Sequence, residues 1–242
     1  MLLKPSNDVS ELYELLSVGA TLRGLDKEEL GRIDNFPILF LTPKEMDPTK
    51  QNFLIAAGFH GNEIAGPWGI ANFLLSNEIN ANVSFLPLTN PTGLSANTRL
   101  NSKDQSPNTG WIHGGELSEE GKIIMHSIHK IFPTAVDGFL TLHEDHTNEQ
   151  FYLYYFSDSK TVPKKINELL SIGSEHFGLV EDGKYQDIPI KKGLVKNLHD
   201  GTFEDYLYHR DIPLSVCTET PGNGDIFMRI QTVSGLIKSF IS

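Results

Sequence analysis

The alternation of apolar and polar positions along the chain predicts strands and helices in turn. Short apolar runs predict buried strands, and these cover 38–41, 53–57, 83–88, 139–142, 151–156 and 214–218. Longer stretches with helical periodicity predict helices over 9–17, 63–76, 118–131, 162–177, 202–210 and 224–240. Alternation of this kind predicts an α/β fold, with a mixed, mostly parallel, twisted sheet that is flanked by helices on both faces.

Length and composition favour a single domain. The chain has 242 residues, of which 39% are hydrophobic and 21% are charged. A chain of this size can bury one sizeable core, and neither a linker-like run nor an internal repeat divides the sequence. We therefore expect one domain over residues 1–242.

The charge and the cysteine content limit the partners and the compartment. A net charge of -11 repels phosphate backbones and anionic lipids, so we expect neither nucleic acid nor a membrane as partner. The single cysteine, Cys217, rules out an intrachain disulfide, and its apolar neighbours indicate a buried core residue. The segment 1–8 has no basic region followed by an apolar run, so it does not resemble a secretory leader. These features together favour a cytoplasmic protein.

Polar side chains follow three of the predicted strands. His60 and Glu63 come after the strand at 53–57, His143 comes after 139–142, and Glu219 comes after 214–218. In open α/β sheets, ligands bind beyond the carboxyl ends of the strands. These four side chains are therefore expected to meet in one cleft.

The residue types in this group are suited to a metal. Imidazole and carboxylate are ordinary zinc ligands, and two histidines with one glutamate leave a fourth position for water. Taken one at a time, the residues also fit ordinary roles: a helix start for His60 and Glu63, a structural histidine for His143, and a loop carboxylate for Glu219. The neighbouring Glu144, Asp145 and His146 could orient ligands, belong to a loop or bind a second cation.

An arginine follows a turn in the middle of the chain. Asn90-Pro91-Thr92-Gly93 has the composition of a turn, and Arg99 comes shortly after it. A fixed guanidinium can stabilise negative charge that develops on a reacting oxygen. The alternative is a surface arginine that closes a loop.

Taken in order, these motifs resemble the carboxypeptidase A-like zinc metallocarboxypeptidases. That superfamily also includes murein-peptide amidases and the succinylglutamate desuccinylase/aspartoacylase deacylases. The resemblance covers about residues 53–222, and it implies a zinc carboxypeptidase-like fold with one Zn²⁺ ion. It implies that His60, Glu63 and His143 are the metal ligands and that Glu219 is the general base. It also implies that Arg99 binds and polarises the scissile carbonyl and that Asn108 binds substrate.

The sequence departs from the family pattern at two places. Members that remove a C-terminal residue commonly have Asn-Arg where this chain has Asn108-Thr109, and threonine cannot form a bidentate pair with a carboxylate. The tyrosine usual before the Gly201 to Tyr206 segment is also missing. Either His199 takes the place of that tyrosine, or Lys192 or Lys196 binds an acidic group.

The resulting prediction is a zinc-dependent metallopeptidase of the carboxypeptidase type that hydrolyses an amide bond in a peptide or modified peptide. The alternatives are an N-acyl amino acid deacylase and a non-catalytic binding protein on the same scaffold. The expected partner is a peptide or acyl-amino acid substrate, and the sequence does not indicate an oligomeric state.

Overall fold

The computed structural model describes residues 4–112, 114–185 and 187–242. Met1, Leu2 and Leu3, which belong to the N-terminal segment considered above, lie outside these ranges. The strands are β1 (Leu25–Ile33), β2 (Phe36–Pro43), β3 (Asn52–Ala57), β4 (Asn82–Leu86), β5 (Gly138–Asp145), β6 (Tyr152–Phe156), β7 (Gly183–Tyr185), β8 (Ile188–Ile190), β9 (Leu194–Lys196) and β10 (Ser215–Pro221). The helices are α1 (Val9–Leu22), α2 (Ala65–Ser76), α3 (Pro91–Ala96), α4 (Glu119–His126), α5 (Ile128–Ile131), α6 (Lys164–Phe177), α7 (Phe203–Tyr208) and α8 (Ile226–Phe240), and a short 3₁₀ helix spans Phe132–Thr134.

Eight strands form one mixed sheet in the order β1-β2-β4-β3-β5-β10-β6-β9. Four neighbouring pairs are parallel, namely β3 with β4, β3 with β5, β5 with β10, and β6 with β9. The β1–β2, β2–β4 and β6–β10 pairs are antiparallel. The prediction of a mixed, mostly parallel sheet is confirmed. The strands β7 and β8 form a separate two-stranded sheet.

Helices cover both faces of the sheet, as the apolar pattern predicts. In β3, Phe53 and Ile55 belong to a core cluster that includes residues of α1, α2, α6 and α8. Leu54 and Ala56 point the other way, into a second cluster with residues of α4, α5 and α7. This alternation of side chains is why the central strands are apolar at every position.

The six predicted strands and the six predicted helices all exist, and most differences lie at the ends. The helix predicted over 118–131 is interrupted at Ser127, so it forms α4 and α5. The helix predicted from residue 63 begins at Ala65. The strands β5 and β10 continue to Asp145 and Pro221, so His143 and Glu219 lie within strands. No described helix is long and apolar enough to cross a bilayer.

Candidate active site

Three adjacent strands bring the predicted site residues together. Ala57, the last residue of β3, pairs with Leu142 of β5, so the turn after β3 lies beside His143. On the other side of β5, Glu219 of β10 is the register partner of His143. Parallel pairing therefore places the turn, the histidine and the second glutamate at one edge of the sheet.

The turn between β3 and α2 carries His60 and Glu63. It is closed by the Glu63 amide, which donates to the His60 carbonyl at 3.2 Å. Gly61 is required here, since a Cβ atom at this position would lie 1.9 Å from the backbone carbon of Gly93. The Gly61 amide also donates to the Arg99 carbonyl at 3.3 Å. This close approach fixes the turn against the segment that carries Arg99.

The side chains of His60, Glu63 and His143 converge on a single point. Nδ1 of His60 lies 2.6 Å from Oε1 of Glu63, and Nδ1 of His143 lies 2.8 Å from Oε2 of the same carboxylate. The ligand atoms of all three side chains lie within 4.8 Å of one another. Two imidazole nitrogens that face both oxygens of one buried carboxylate match the donor set of a catalytic zinc site. These residues therefore fit a divalent metal ion.

Burial and neighbouring charges set the protonation of this cluster. Burial lowers the pKa of His60, which keeps a nitrogen lone pair free. Burial disfavours the charge of Glu63, but the two imidazoles outweigh it and hold the pKa of this carboxyl below its usual range. Burial also opposes the charge of His143, yet the carboxylates of Glu63 and Glu204 raise its pKa well above the usual value. A bound cation would favour loss of these protons.

The pKa of Glu219 shifts in the opposite direction to that of Glu63. Burial raises the pKa of Glu219 from 4.5 to about 8, and the nearby negative charge of Glu63 adds to this rise. A carboxyl group whose pKa lies close to neutrality can both accept and return a proton. The environment of Glu219 therefore suits proton transfer, whereas Glu63 suits charge pairing.

Arg99 and Asn108 also reach the cluster. Nη1 of Arg99 lies 3.2 Å from Oε1 of Glu63, and 59% of the Arg99 side chain is exposed, so the guanidinium is free to turn toward a bound molecule. Asn108 is buried, its Oδ1 accepts from the Phe203 amide at 3.3 Å, and its Nδ2 lies 3.4 Å from Nε2 of His143. Arg99 therefore contacts the carboxylate of the cluster, whereas Asn108 lies beside one of its imidazoles.

Glu204 is a site residue that the sequence argument did not single out. Its Oε1 lies 3.5 Å from Nε2 of His143 and accepts from the Thr141 hydroxyl. The side chain is buried, and Oε2 has no hydrogen-bond partner. Burial opposes ionisation, but the contacts with His143 and Thr141 hold the pKa of Glu204 below its usual value. The signal in the sequence was the Gly201 to Tyr206 segment, which the family resemblance included without a role for this residue.

A cavity of about 170 Å³ opens over the cluster and joins a wider depression of about 400 Å³. Arg99, Tyr154 and Glu219 line both. The smaller cavity is also lined by His60, Asn108, His143, Phe156, Leu198, Asp200, Thr202, Glu204 and Cys217. Among the described lining residues of the two cavities, Arg99 is the only lysine or arginine. Carboxyl side chains therefore outnumber lysine and arginine side chains among the described residues that line the cavity beside the cluster.

Several residues considered from the sequence lie elsewhere. Thr109 is exposed, and its hydroxyl donates to the Ser106 carbonyl at 3.3 Å. Lys196 donates to the Ser159 carbonyl at 2.6 Å, and His199 pairs with Asp205. Neither these residues nor Lys192 line the two cavities. Cys217 is buried as expected, but it faces the smaller cavity, and burial raises the pKa of its thiol.

The three residues after His143 have structural partners. Glu144 is buried, where it pairs with Arg229 at 2.6 Å and accepts from the Ala65 amide at 2.7 Å. It therefore caps the first turn of α2. Asp145 accepts from the Tyr152 hydroxyl at 2.9 Å, and Nε2 of His146 lies 3.2 Å from the Asn62 carbonyl. Among the described residues, none of the three belongs to a group of three metal-ligating side chains.

No protein-family model and no curated protein matches the sequence. Three solved structures illustrate what this chain is similar to. A protein from Shewanella denitrificans, provisionally named a metallopeptidase, is 33% identical, with a TM-score of 0.92 over 97% of this chain and 90% of that one. A protein of the same provisional name from Shewanella amazonensis is 31% identical, with a TM-score of 0.93 over 97% and 92%. A protein from Shewanella denitrificans provisionally named carboxypeptidase A is 18% identical, with a TM-score of 0.70 over 98% of this chain and 68% of that one, and it shares the fold. Sequence identity above 30% over nearly the whole of both chains shows that this protein belongs to the same metallopeptidase family as the first two proteins, and the third shows that its fold is that of carboxypeptidase A.

Proposed function

We propose that the protein is a zinc-dependent hydrolase of an amide bond in a peptide or modified peptide. One observation carries the proposal: two buried imidazoles converge on one carboxylate, and Glu219 lies in register with one of them. In this proposal His60, Glu63 and His143 would hold one zinc ion. When bound, such an ion supplies Lewis acidity that lowers the pKa of water toward about 7.

The other residues move or stabilise charge. A carboxylate oxygen of Glu219 takes the proton of the attacking water and later gives it to the departing nitrogen. The raised pKa of Glu219 supports this double role, since a group whose pKa lies near the working pH is basic enough to accept the proton and acidic enough to return it. The Arg99 guanidinium stabilises the negative charge that develops on the carbonyl oxygen. Asn108, whose Oδ1 is held by the Phe203 amide, offers its Nδ2 to the substrate.

The charge of the cavity favours peptides over acidic acyl-amino acids. Asp200 and Glu204 line the smaller cavity, and Arg99 is the one lysine or arginine among its described lining residues. A substrate that brings two carboxylates would meet like charges there. Thr109 is uncharged and lies outside the cavity, so this position offers no cation to a substrate carboxylate. This supports an enzyme that does not depend on a free C-terminal carboxylate.

The proposal is tested by metal analysis together with hydrolysis of short peptides and N-acyl amino acids. We expect chelation to abolish peptide hydrolysis and added zinc to restore it. Glu219→Gln should retain its metal and lower kcat by about 10²–10⁴-fold, whereas His143→Ala should lose the metal. Full activity after metal removal would contradict the proposed chemistry. Faster hydrolysis of N-acyl amino acids than of any peptide would favour the deacylase alternative, and a metal-free protein that cannot be loaded would favour a binding protein.

We further propose that residues 1–242 act as one catalytic domain, which is supported by the continuous sheet and by relatives that match along 97% of the chain. A cytoplasmic location remains a prediction that rests on the single cysteine.

A further inference from the structure

A second group of metal-ligating side chains surrounds helix α7. It consists of His199, Asp205 and His209, and we refer to it as the α7 cluster. Asp205 lies on α7 and His209 caps its end, four residues further on, so both face the same side of the helix. His199 comes from the loop that precedes the helix. None of the three takes part in the proposed catalytic chemistry.

Both imidazoles point at one carboxylate oxygen. Nδ1 of His199 lies 2.7 Å from Oδ1 of Asp205, and Nε2 of His209 lies 3.3 Å from the same oxygen. The three ligand atoms lie within 4.8 Å of one another. Zinc binds imidazole nitrogen and carboxylate oxygen at about 2.0–2.2 Å, which in a tetrahedral site separates neighbouring ligand atoms by about 3.3 Å. The His209 contact already has this spacing, and the His199 contact needs a change of about half an ångström to reach it.

Buried contacts hold the α7 cluster in place, and its two imidazoles are partly exposed to solvent. Asp205 is fully buried, and its other oxygen accepts from the Gly201 amide at 3.1 Å, so Oδ1 is directed at the two histidines. The His199 ring stacks on Tyr208 at a centroid distance of 5.9 Å. The two imidazoles are 42% and 48% exposed, which allows an ion to enter from solvent and retain a water ligand.

We propose that the α7 cluster is a second binding site for a divalent transition-metal ion such as zinc. The donor set of two imidazoles and one carboxylate belongs to these metals rather than to calcium or magnesium, which prefer oxygen ligands. Its place in the fold also gives it a consequence. Leu198, Asp200 and Thr202 of the preceding loop line the catalytic cavity, so an ion that joins His199 to α7 would restrain that wall of the cavity.

The test is zinc stoichiometry in the full-length protein after chelation and reloading, measured by elemental analysis and by titration against a competing chelator. We expect two zinc equivalents in the wild type and one in the His199→Ala/His209→Ala double variant. A double variant that removes the two exposed histidines of the α4–α5 region, His126→Ala/His129→Ala, is the matched control and should keep two equivalents.

A complementary variant separates this proposal from the catalytic one. His60→Ala/His143→Ala should still bind one zinc equivalent, and that ion should raise its Tm, even if the proposed catalytic function is wrong. Asp205→Asn, with folding checked by circular dichroism, should also lose one equivalent of the two and covers the case in which the histidine variant does not fold. A wild type that binds one equivalent, lost entirely in His60→Ala/His143→Ala, would overturn the proposal. So would two equivalents in His199→Ala/His209→Ala.

Discussion

Replacing Glu204 by glutamine tests whether this buried carboxylate positions His143 for metal binding. With a metal on Nδ1, the Nε2 hydrogen of His143 faces Oε1 of Glu204, 3.5 Å away. Carboxylates in this position fix the ring and raise the basicity of the ligating nitrogen, and their removal typically weakens metal binding by about 10–100-fold. Glutamine keeps the shape and the contact with Thr141 while it removes the charge.

The contact distance decides where in that range the effect should fall. At 3.5 Å the contact is at the outer limit of a hydrogen bond, so we expect a loss of about 10-fold, which corresponds to about 1.4 kcal/mol. The assay is competition for zinc between the protein and a chromophoric chelator at neutral pH. Folding is checked by circular dichroism, because the substitution is buried.

Asp200→Asn is the matched control for this experiment. Asp200 lines the same cavity, but its carboxylate accepts from the Thr202 amide at 3.2 Å rather than facing a proposed metal ligand. We expect Asp200→Asn to bind zinc almost as tightly as the wild type. If both variants lost affinity equally, the effect would come from the overall charge of the cavity. Unchanged affinity in Glu204→Gln would refute the positioning role.

Three further predictions follow from the geometry. Arg99→Ala should retain its metal and lower kcat by about 10²–10³-fold, as for loss of one preorganised donor; steady-state kinetics with a metal assay checks this, and wild-type turnover would exclude the role. In the presence of chelator, the difference in Tm between Glu219→Gln and the wild type should shift in favour of the variant as pH rises from 5 to 9. The reason is that the pKa of Glu219 is raised to about 8 in the folded protein, so the unfolded state loses this proton first and wild-type stability falls through that window; a pH-independent difference would contradict it. Gly61→Ala should destabilise the fold by about 1–3 kcal/mol or more, because the new Cβ meets the backbone of Gly93; urea unfolding measures it, and wild-type stability would show that the turn adapts.

The central strands could be predicted because their side chains are apolar on both faces. The runs at 53–57 and 139–142 lie within β3 and β5, and parallel pairing then dictates which polar residues share an edge. The strand β1 could not be predicted in the same way. Its sequence, LDKEELGRI, is rich in charge because it lies at the edge of the sheet, and a register shift between Glu29 and Gly31 interrupts its pattern.

The prediction of the site residues was limited for a similar reason. His60, Glu63, His143 and Glu219 follow apolar runs directly, and the structure brings them together. Glu204 lies instead at the start of a short helix, and its contact with His143 spans a large distance in sequence. No local pattern reports such a contact. The roles of these residues in metal binding and catalysis remain predictions that the proposed experiments test.

The pairing of Glu219 with His143 across β10 and β5 has a consequence for how specificity can change. Both residues belong to central strands of the sheet, whereas Leu198, Asp200 and Thr202, which line the same cavity, belong to the segment before α7. Under the proposed function, the residues that perform the reaction would thus lie on strands, and residues that could contact the substrate beside them would lie on a loop. Exchanging the segment 197–202 for one of other charge should redirect the enzyme to new substrates while leaving its chemistry intact, which makes this segment the natural place to begin engineering.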